Sequence, residues 1–196
     1  MRTATVTRNT NETKISLSLT LEGAGRYNIH TGCGFFDHML ELFCRQGRFD
    51  LTLSCAGDTE VDYHHTVEDV GIALGRAFDE ALADRAGITR YGDVTLPMDE
   101  ALVLAAIDVC GRPTLNFEVE LPTSKVGDFD TELVEEFFLA FTRELRCSLH
   151  FIKLAGRNTH HIAEACFKAF GRILGAAAAI DERLGGEIPS TKGTIL

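Results

Sequence analysis

His64-His65-Thr66-Val67-Glu68-Asp69-Val70-Gly71-Ile72-Ala73-Leu74-Gly75-Arg76 and, later in the chain, His160-His161-Ile162-Ala163-Glu164-Ala165-Cys166-Phe167-Lys168-Ala169-Phe170-Gly171-Arg172 are the two stretches whose comparison decides the fold. A shift of 96 positions lays His64 on His160, His65 on His161 and Glu68 on Glu164. It also lays Ala73 on Ala169, Gly75 on Gly171, Arg76 on Arg172 and Ala81 on Ala177. Helical periodicity would match apolar residues, but it would not hold a rare His-His-x-x-Glu in register with a Gly-Arg pair. The chain therefore reads as an internal duplication whose copies pack about a pseudo-twofold axis. The expected fold class is α+β: two sheet-plus-helices halves, residues 1–92 and 93–196, with helices on one face of each sheet.

Working outward, residues 13–21 place Ile15, Leu17, Leu19 and Leu21 in alternation with polar residues, the period of a half-buried strand. Residues 27–29 extend the sheet after the Gly23-Ala24-Gly25 turn, 35–45 read as helix, and 49–55 return to alternation. A polar turn at Gly57-Asp58 leads into a long helix over 64–83, with Val67, Ile72, Leu74, Phe78 and Leu82 as its apolar stripe. The second half follows the same order. It has a buried strand over 101–109, an alternating strand over 114–120 and a helix over 131–146, with Leu133, Phe137, Phe138, Phe141 and Leu145 facing inward. A strand over 148–154 and a long helix over 160–184 complete it, and the Gly- and Pro-rich tail, 185–193, is irregular.

The 196 residues are 45% hydrophobic and 24% charged, enough to bury a core and too apolar for a disordered chain. A formal charge of −10 and a pI near 5.1 argue against a general nucleic-acid binder, whose signature is a basic stripe. The six cysteines (Cys33, Cys44, Cys55, Cys110, Cys147 and Cys166) form no C-x-x-C pair and are expected as reduced thiols in apolar surroundings. Residues 1–6 lack the apolar stretch of a signal peptide, and no run approaches the roughly 18 apolar residues of a membrane span. The expectation is a cytoplasmic protein with neither nucleic-acid nor membrane partner.

Imidazole and carboxylate are the usual ligands of Zn, Mn, Fe or Ni. On a helix both histidines of a His-His-x-x-Glu motif stand near its glutamate, yet they diverge by about 100° from each other. They are thus able to serve two ions. One such motif is also compatible with ordinary polar residues at a helix surface, and duplication is what favours metal. His38 and His150 lie in otherwise apolar settings, where a buried histidine with a satisfied hydrogen bond is the plain alternative. With the motifs they make six imidazoles and two carboxylates, four ligands for each of two ions, leaving octahedral positions open for substrate. His30 is left over as a surface residue. Asp37, Asp62 and Asp69 flank these residues, and orienting imidazoles, capping helices and simple solvation all remain open for them.

Over essentially its whole length the sequence resembles the imidazoleglycerol-phosphate dehydratases of histidine biosynthesis. The matching motifs are Arg8-Asn9-Thr10-Asn11-Glu12-Thr13, Gly34-Phe35-Phe36-Asp37-His38-Met39-Leu40, Asp62-Tyr63-His64-His65-Thr66-Val67-Glu68-Asp69, Pro97-Met98-Asp99-Glu100, Gly156-Arg157-Asn158-Thr159-His160-His161-Ile162-Ala163-Glu164 and Pro189-Ser190-Thr191-Lys192-Gly193. The resemblance implies two fused units of the ribosomal-protein-S5-like type and two Mn²⁺ ions per subunit. The implied metal ligands are His38, His64, His65, Glu68, His150, His160, His161 and Glu164. It further implies substrate contacts at Glu12, Gln46, Arg90, Arg112, Lys168, Ser190 and Lys192, and a homo-oligomer of 24 subunits whose sites draw on neighbouring chains. A phosphate group calls for Arg and Lys with a hydroxyl donor, which Arg90, Arg112, Ser190 and Lys192 supply.

The reaction so implied removes water from imidazole glycerol phosphate to give imidazole acetol phosphate. The hydrogen lost is not beside a carbonyl, so enolate stabilisation is unavailable. A substrate imidazolate bridging two ions would let the ring expel the hydroxyl through a diazafulvene-like intermediate. Glu12 and Glu164 are the expected proton-transfer groups, with Glu68 chiefly a ligand. A dinuclear phosphoester hydrolase with the same ligands, and a metal-storage protein without a phosphate site, are the competing readings.

Overall fold

The computed structural model describes residues 1–195. The first half runs β1 (Thr3–Asn9), β2 (Thr13–Thr20), β3 (Tyr27–His30), α1 (Gly34–Gly47), β4 (Asp50–Gly57) and α2 (His64–Leu82). The second runs β5 (Tyr91–Met98), β6 (Ala101–Asp108), β7 (Thr114–Glu118), the short strands β8 (Lys125–Val126) and β9 (Phe129–Asp130), α3 (Leu133–Leu145), β10 (Ser148–Ala155) and α4 (Thr159–Ala178). Apart from β8 and β9 the halves have the same elements in the same order. Their sheets, β1-β2-β4-β3 and β5-β6-β10-β7, share one topology in which only the last pairing is parallel. The α+β class and the duplication are thus seen directly.

The shift of 96 belongs to the long helices alone. β2 and β6 start at Thr13 and Ala101, 88 positions apart, whereas β4 and β10 start at Asp50 and Ser148, 98 apart. The difference comes from the longer β7–α3 connection, which carries β8 and β9. Strand alternation works as expected: in β2, Ile15, Leu17 and Leu19 are buried while the residues between them face out.

Helices of both halves meet between the two sheets. Phe43 of α1 stacks on Phe170 of α4, with ring centroids 4.9 Å apart, and Phe78 of α2 meets Phe141 of α3 edge-on at 5.6 Å. Burying each such ring stabilises the fold by about 1.5–3 kcal/mol. The repeated glycines sit at these crossings. A Cβ on Gly75 would come within 2.7 Å of the Phe141 carbonyl in α3, and one on Gly171 within 2.4 Å of the Phe43 carbonyl in α1. Each long helix therefore touches the short helix of the other half, backbone to backbone.

Two expectations are corrected, and one alternative is set aside. The helix expected over 160–184 ends at Ala178, because Ala179 accepts from the Thr89 N–H and the chain leaves to pair Ile180 with Ile88. A 3-10 turn, Glu182–Leu184, follows. Tyr91 and Gly92 belong to β5 of the second sheet. His38 is half-exposed and His150 is exposed on β10, so neither is a buried core histidine. All six cysteines are free and buried. Among the described residues no helix is long and apolar enough to cross a membrane.

Candidate active site

The N-termini of α1, α2 and α4 carry the candidate ligands. His160 and Glu164, one turn apart on α4, stand on the same face. The Glu164 Oε1 atom receives His160 Nε2 at 3.0 Å and His38 Nε2, from α1, at 3.1 Å. Its other oxygen pairs with Lys168 Nζ at 2.5 Å, one turn further along. Burial works against ionising Glu164, but the hydrogen bonds from Lys168, His38 and His160 outweigh it and hold the carboxyl down at about 2. It is an anion at any physiological pH.

The chemistry of this set suits a divalent ion. Its three ligand atoms lie within 4.8 Å of one another. Ligand atoms about 2.1 Å from an ion and at right angles stand about 3 Å apart, which is the spacing of the histidine nitrogens from Glu164 Oε1.

The second histidine of each motif is oriented by a carboxylate from a loop. His65 Nδ1 lies 2.9 Å from Asp58 Oδ2, and His161 Nδ1 lies 2.7 Å from Glu100 Oε2. An ionised carboxylate only accepts, so each ring donates from Nδ1 and leaves Nε2 outward as the potential ligand atom. The bonds raise both imidazoles above their ordinary pKa. Glu100 is held in turn: His161 first, then the Asn158 and Arg157 N–H groups, bring it down to about 2. Glu12 lies 3.6 Å from His65 Nε2, in the turn between β1 and β2. Glu100 occupies the corresponding turn between β5 and β6.

Sequence reasoning missed Asp58 and Glu100. The available signal was the duplication itself, which puts Glu12 and Glu100 each immediately before the second strand of its half. None of the three flanking aspartates hydrogen-bonds to an imidazole among the described residues. Asp37 accepts from the Thr31 hydroxyl and N–H, Asp62 from the His64 N–H, and buried Asp69 from Arg8 and Thr13.

The remaining candidates are spread out. The His64 ring meets the edge of His65 but makes no hydrogen bond among the described residues, and Glu68 lies one turn beyond it on α2. His150 stands alone on β10. Gln46 lies eight residues beyond His38 on α1, about 12 Å along the axis, where a Cβ on Gly171 would touch it. Arg90 pairs with Asp108 at 2.7 Å and donates to the Pro189 carbonyl at 2.8 Å, which brings the tail with Ser190 beside it. The Ser190 hydroxyl oxygen accepts from the Lys192 N–H at 3.2 Å. Exposed Arg112 lies on the loop leaving β6, whose Val109 N–H donates to the Arg90 carbonyl. This basic set sits at the far end of α4 from Glu164: the Arg90 N–H donates to the Ala177 carbonyl, seventeen residues and about 25 Å beyond His160.

Residues 31–174 match the family model described as imidazoleglycerol-phosphate dehydratase. The chain belongs to that family. It is 55% identical over 194 residues to the imidazoleglycerol-phosphate dehydratase of Pelobacter propionicus, covering 99% of each chain. It is likewise 55% identical over 195 residues to that of Azorhizobium caulinodans, covering 100% of this chain and 99% of the relative. The Staphylococcus aureus enzyme structure superposes with a TM-score of 0.84 at 39% identity, covering 91% of this chain and 99% of that one. The Pyrococcus furiosus enzyme, solved in complex with (S)-C348, gives 0.82 at 34% identity, covering 96% of this chain and 99% of that one. Membership carries the dehydratase activity, a hydro-lyase step of histidine biosynthesis.

Proposed function

We propose that the chain dehydrates D-erythro-imidazole glycerol phosphate to imidazole acetol phosphate at a di-manganese site that takes the substrate ring as imidazolate. The observation that carries this reading is the Glu164 carboxylate, shared by His38, His160 and Lys168 at ligand spacing. His38, His64, His65, Glu68, His150, His160, His161 and Glu164 are the proposed ligands of two Mn²⁺ ions per subunit. Such ions supply Lewis acidity and a template for the ring.

The chain's own groups do the rest. Lys168 and the two imidazoles keep Glu164 ionised. A carboxyl held so low is a weak base, because a general base works best with a pKa near the working pH. Glu164 is therefore assigned chiefly as ligand, and Glu12, exposed beside His65, as the principal proton-transfer group. Arg90, Arg112, Ser190 and Lys192 hold the phosphate, the arginines through forked donors. Lys168 contacts substrate near Glu164. Partly buried Gln46 is proposed as a further substrate contact.

The metal-binding and phosphate-binding sets of one chain lie about 25 Å apart along α4, further than one imidazole phosphate reaches. One substrate can meet both only if two chains share a site, which supports a homo-oligomer, proposed as the 24-subunit shell. The reading places the enzyme in the cytoplasm.

Turnover of imidazole glycerol phosphate by protein loaded with Mn²⁺ tests the reading. Formation of the ketone product is expected, and Glu164→Gln should lower kcat/KM by at least about 100-fold, since disturbing only the outer partners of a metal ligand costs about 10–100-fold. Release of inorganic phosphate without ketone would overturn it in favour of a hydrolase.

A further inference from the structure

The two halves differ chiefly in one connection. Between β3 and α1 the chain spends residues 31–33; between β7 and α3 it spends 119–132. The extra segment folds into the β8–β9 hairpin, closed by Gly127 at φ 62° and by Lys125 pairing with Asp130 at 3.0 Å. Neither strand exceeds two residues, so the hairpin cannot hold itself together, and its order comes from three attachments.

Each attachment reaches an element that carries candidate ligands. Phe129 is buried against Phe35 and Phe36 at the start of α1, centroids 5.0 and 6.3 Å away. Phe35 in turn meets the edge of the His160 ring at 5.3 Å. The Tyr63 hydroxyl donates to Asp128 at 2.7 Å, and Tyr63 is the residue immediately before His64. The Thr123 N–H donates to Thr159 Oγ1 at 3.1 Å, with the two hydroxyl oxygens 2.9 Å apart, and Thr159 immediately precedes His160. Thr131 braces the base of the hairpin by donating to the Thr123 carbonyl at 2.7 Å. No other described segment hydrogen-bonds to the residues just before both motifs.

We propose that the β8–β9 hairpin is a clamp that fixes the separation of the two His-His-x-x-Glu motifs, with Tyr63, Thr123 and Phe129 as positioning residues. The clamp rests on the reading of those motifs as metal ligands. It acts by holding the starts of α1, α2 and α4 in one arrangement before any ion arrives, so that binding does not have to order them.

The test uses full-length protein and Mn²⁺ alone, titrated calorimetrically and by the loss of the free-ion EPR signal. Wild-type chains should take up two ions each; if they bind none, the metal reading and the clamp fall together. The double variant Tyr63→Phe/Thr123→Val removes the two hydroxyl ties, keeps the Thr123 N–H bond to Thr159 and the Phe129 seat, and should fold with an unchanged circular dichroism spectrum and apo Tm. Its Mn²⁺ affinity should fall by about tenfold, the lower end for groups that orient ligands from outside. Excess Mn²⁺ should restore kcat, and Thr123→Ser, which keeps the hydroxyl, should bind like the wild type. If the wild type binds two ions and the double variant binds them equally tightly, the clamp is wrong and the metal reading stands. Phe129→Leu, which keeps an apolar plug, serves as a second variant with the same expected loss.

Discussion

Asp58 and Glu100 do one job from positions the duplication does not equate. Each accepts a hydrogen bond from Nδ1 of a motif histidine and leaves Nε2 available. The bonds have two opposed effects on metal binding. They orient the ring, which favours binding, and they raise the imidazole pKa, so that protons compete to a higher pH. Glu100→Gln and Asp58→Asn should separate the two. At pH 8, where protons compete least, Mn²⁺ affinity is expected to fall by about 10-fold or more. Towards pH 6 the deficit should shrink, because the variant rings protonate less readily than the wild-type ones. Calorimetric titrations at both pH values check this, and a deficit that widened on acidification would contradict it. Asp58 was not legible in the sequence, and Glu100 was signalled only by its match to Glu12 across the duplication. Helical spacing reveals only neighbours on the same helix, and Glu100 meets His161 across sixty residues of chain. The ligand residues themselves were legible because repetition set them apart from ordinary surface polarity.

Among the elements, those with strong local periodicity were readable: the Ile15, Leu17, Leu19 alternation and the two long helices. β5 was not, since its inward positions begin with Gly92, which packs directly on the backbone of Ile173 and shows no apolar signal. The end of α4 misled for a related reason. The run from Ala176 to Ala179 continues a helix locally, and what stops it is hydrogen bonding to Gly87 and Thr89, far away in sequence. The repeated Gly75 and Gly171 looked like marks of common ancestry, and they turn out to be the points where the halves touch. Alanine normally gains roughly 0.5–1 kcal/mol over glycine within a helix. Here its methyl would meet backbone at 2.7 and 2.4 Å, so Gly75→Ala and Gly171→Ala should each destabilise by about 1–3 kcal/mol. Denaturant midpoints measure the loss. Gly171→Ala should fare worse, because its methyl would come within 2.4 Å of a backbone carbonyl, against 2.7 Å for Gly75→Ala.

At the scale of the whole molecule, the chain carries two incomplete sets at opposite ends of α4. His64, Glu68 and His150 have no partner set within the described chain that would surround an ion, and Arg90 with the tail lies far from Glu164. If chains complete each other, removing metal should loosen the assembly as well as stop turnover. Chelation is expected to shift the protein to smaller species in sedimentation velocity, with Mn²⁺ restoring the larger one. His64→Ala and His160→Ala should show the same loss of both properties. Sharing also predicts complementation. Arg90→Ala disables the phosphate set and leaves the metal set intact, whereas Glu164→Gln does the reverse, so each should be nearly inactive alone. Mixed as metal-free chains and reassembled with Mn²⁺, they should recover about a quarter of wild-type turnover, because random pairing joins the two intact sets at that frequency. A site housed within one chain would gain nothing from mixing, whatever the stability of either variant. Recovered activity therefore reports on shared sites specifically, and its absence from a fully reassembled mixture would return both sets to a single chain.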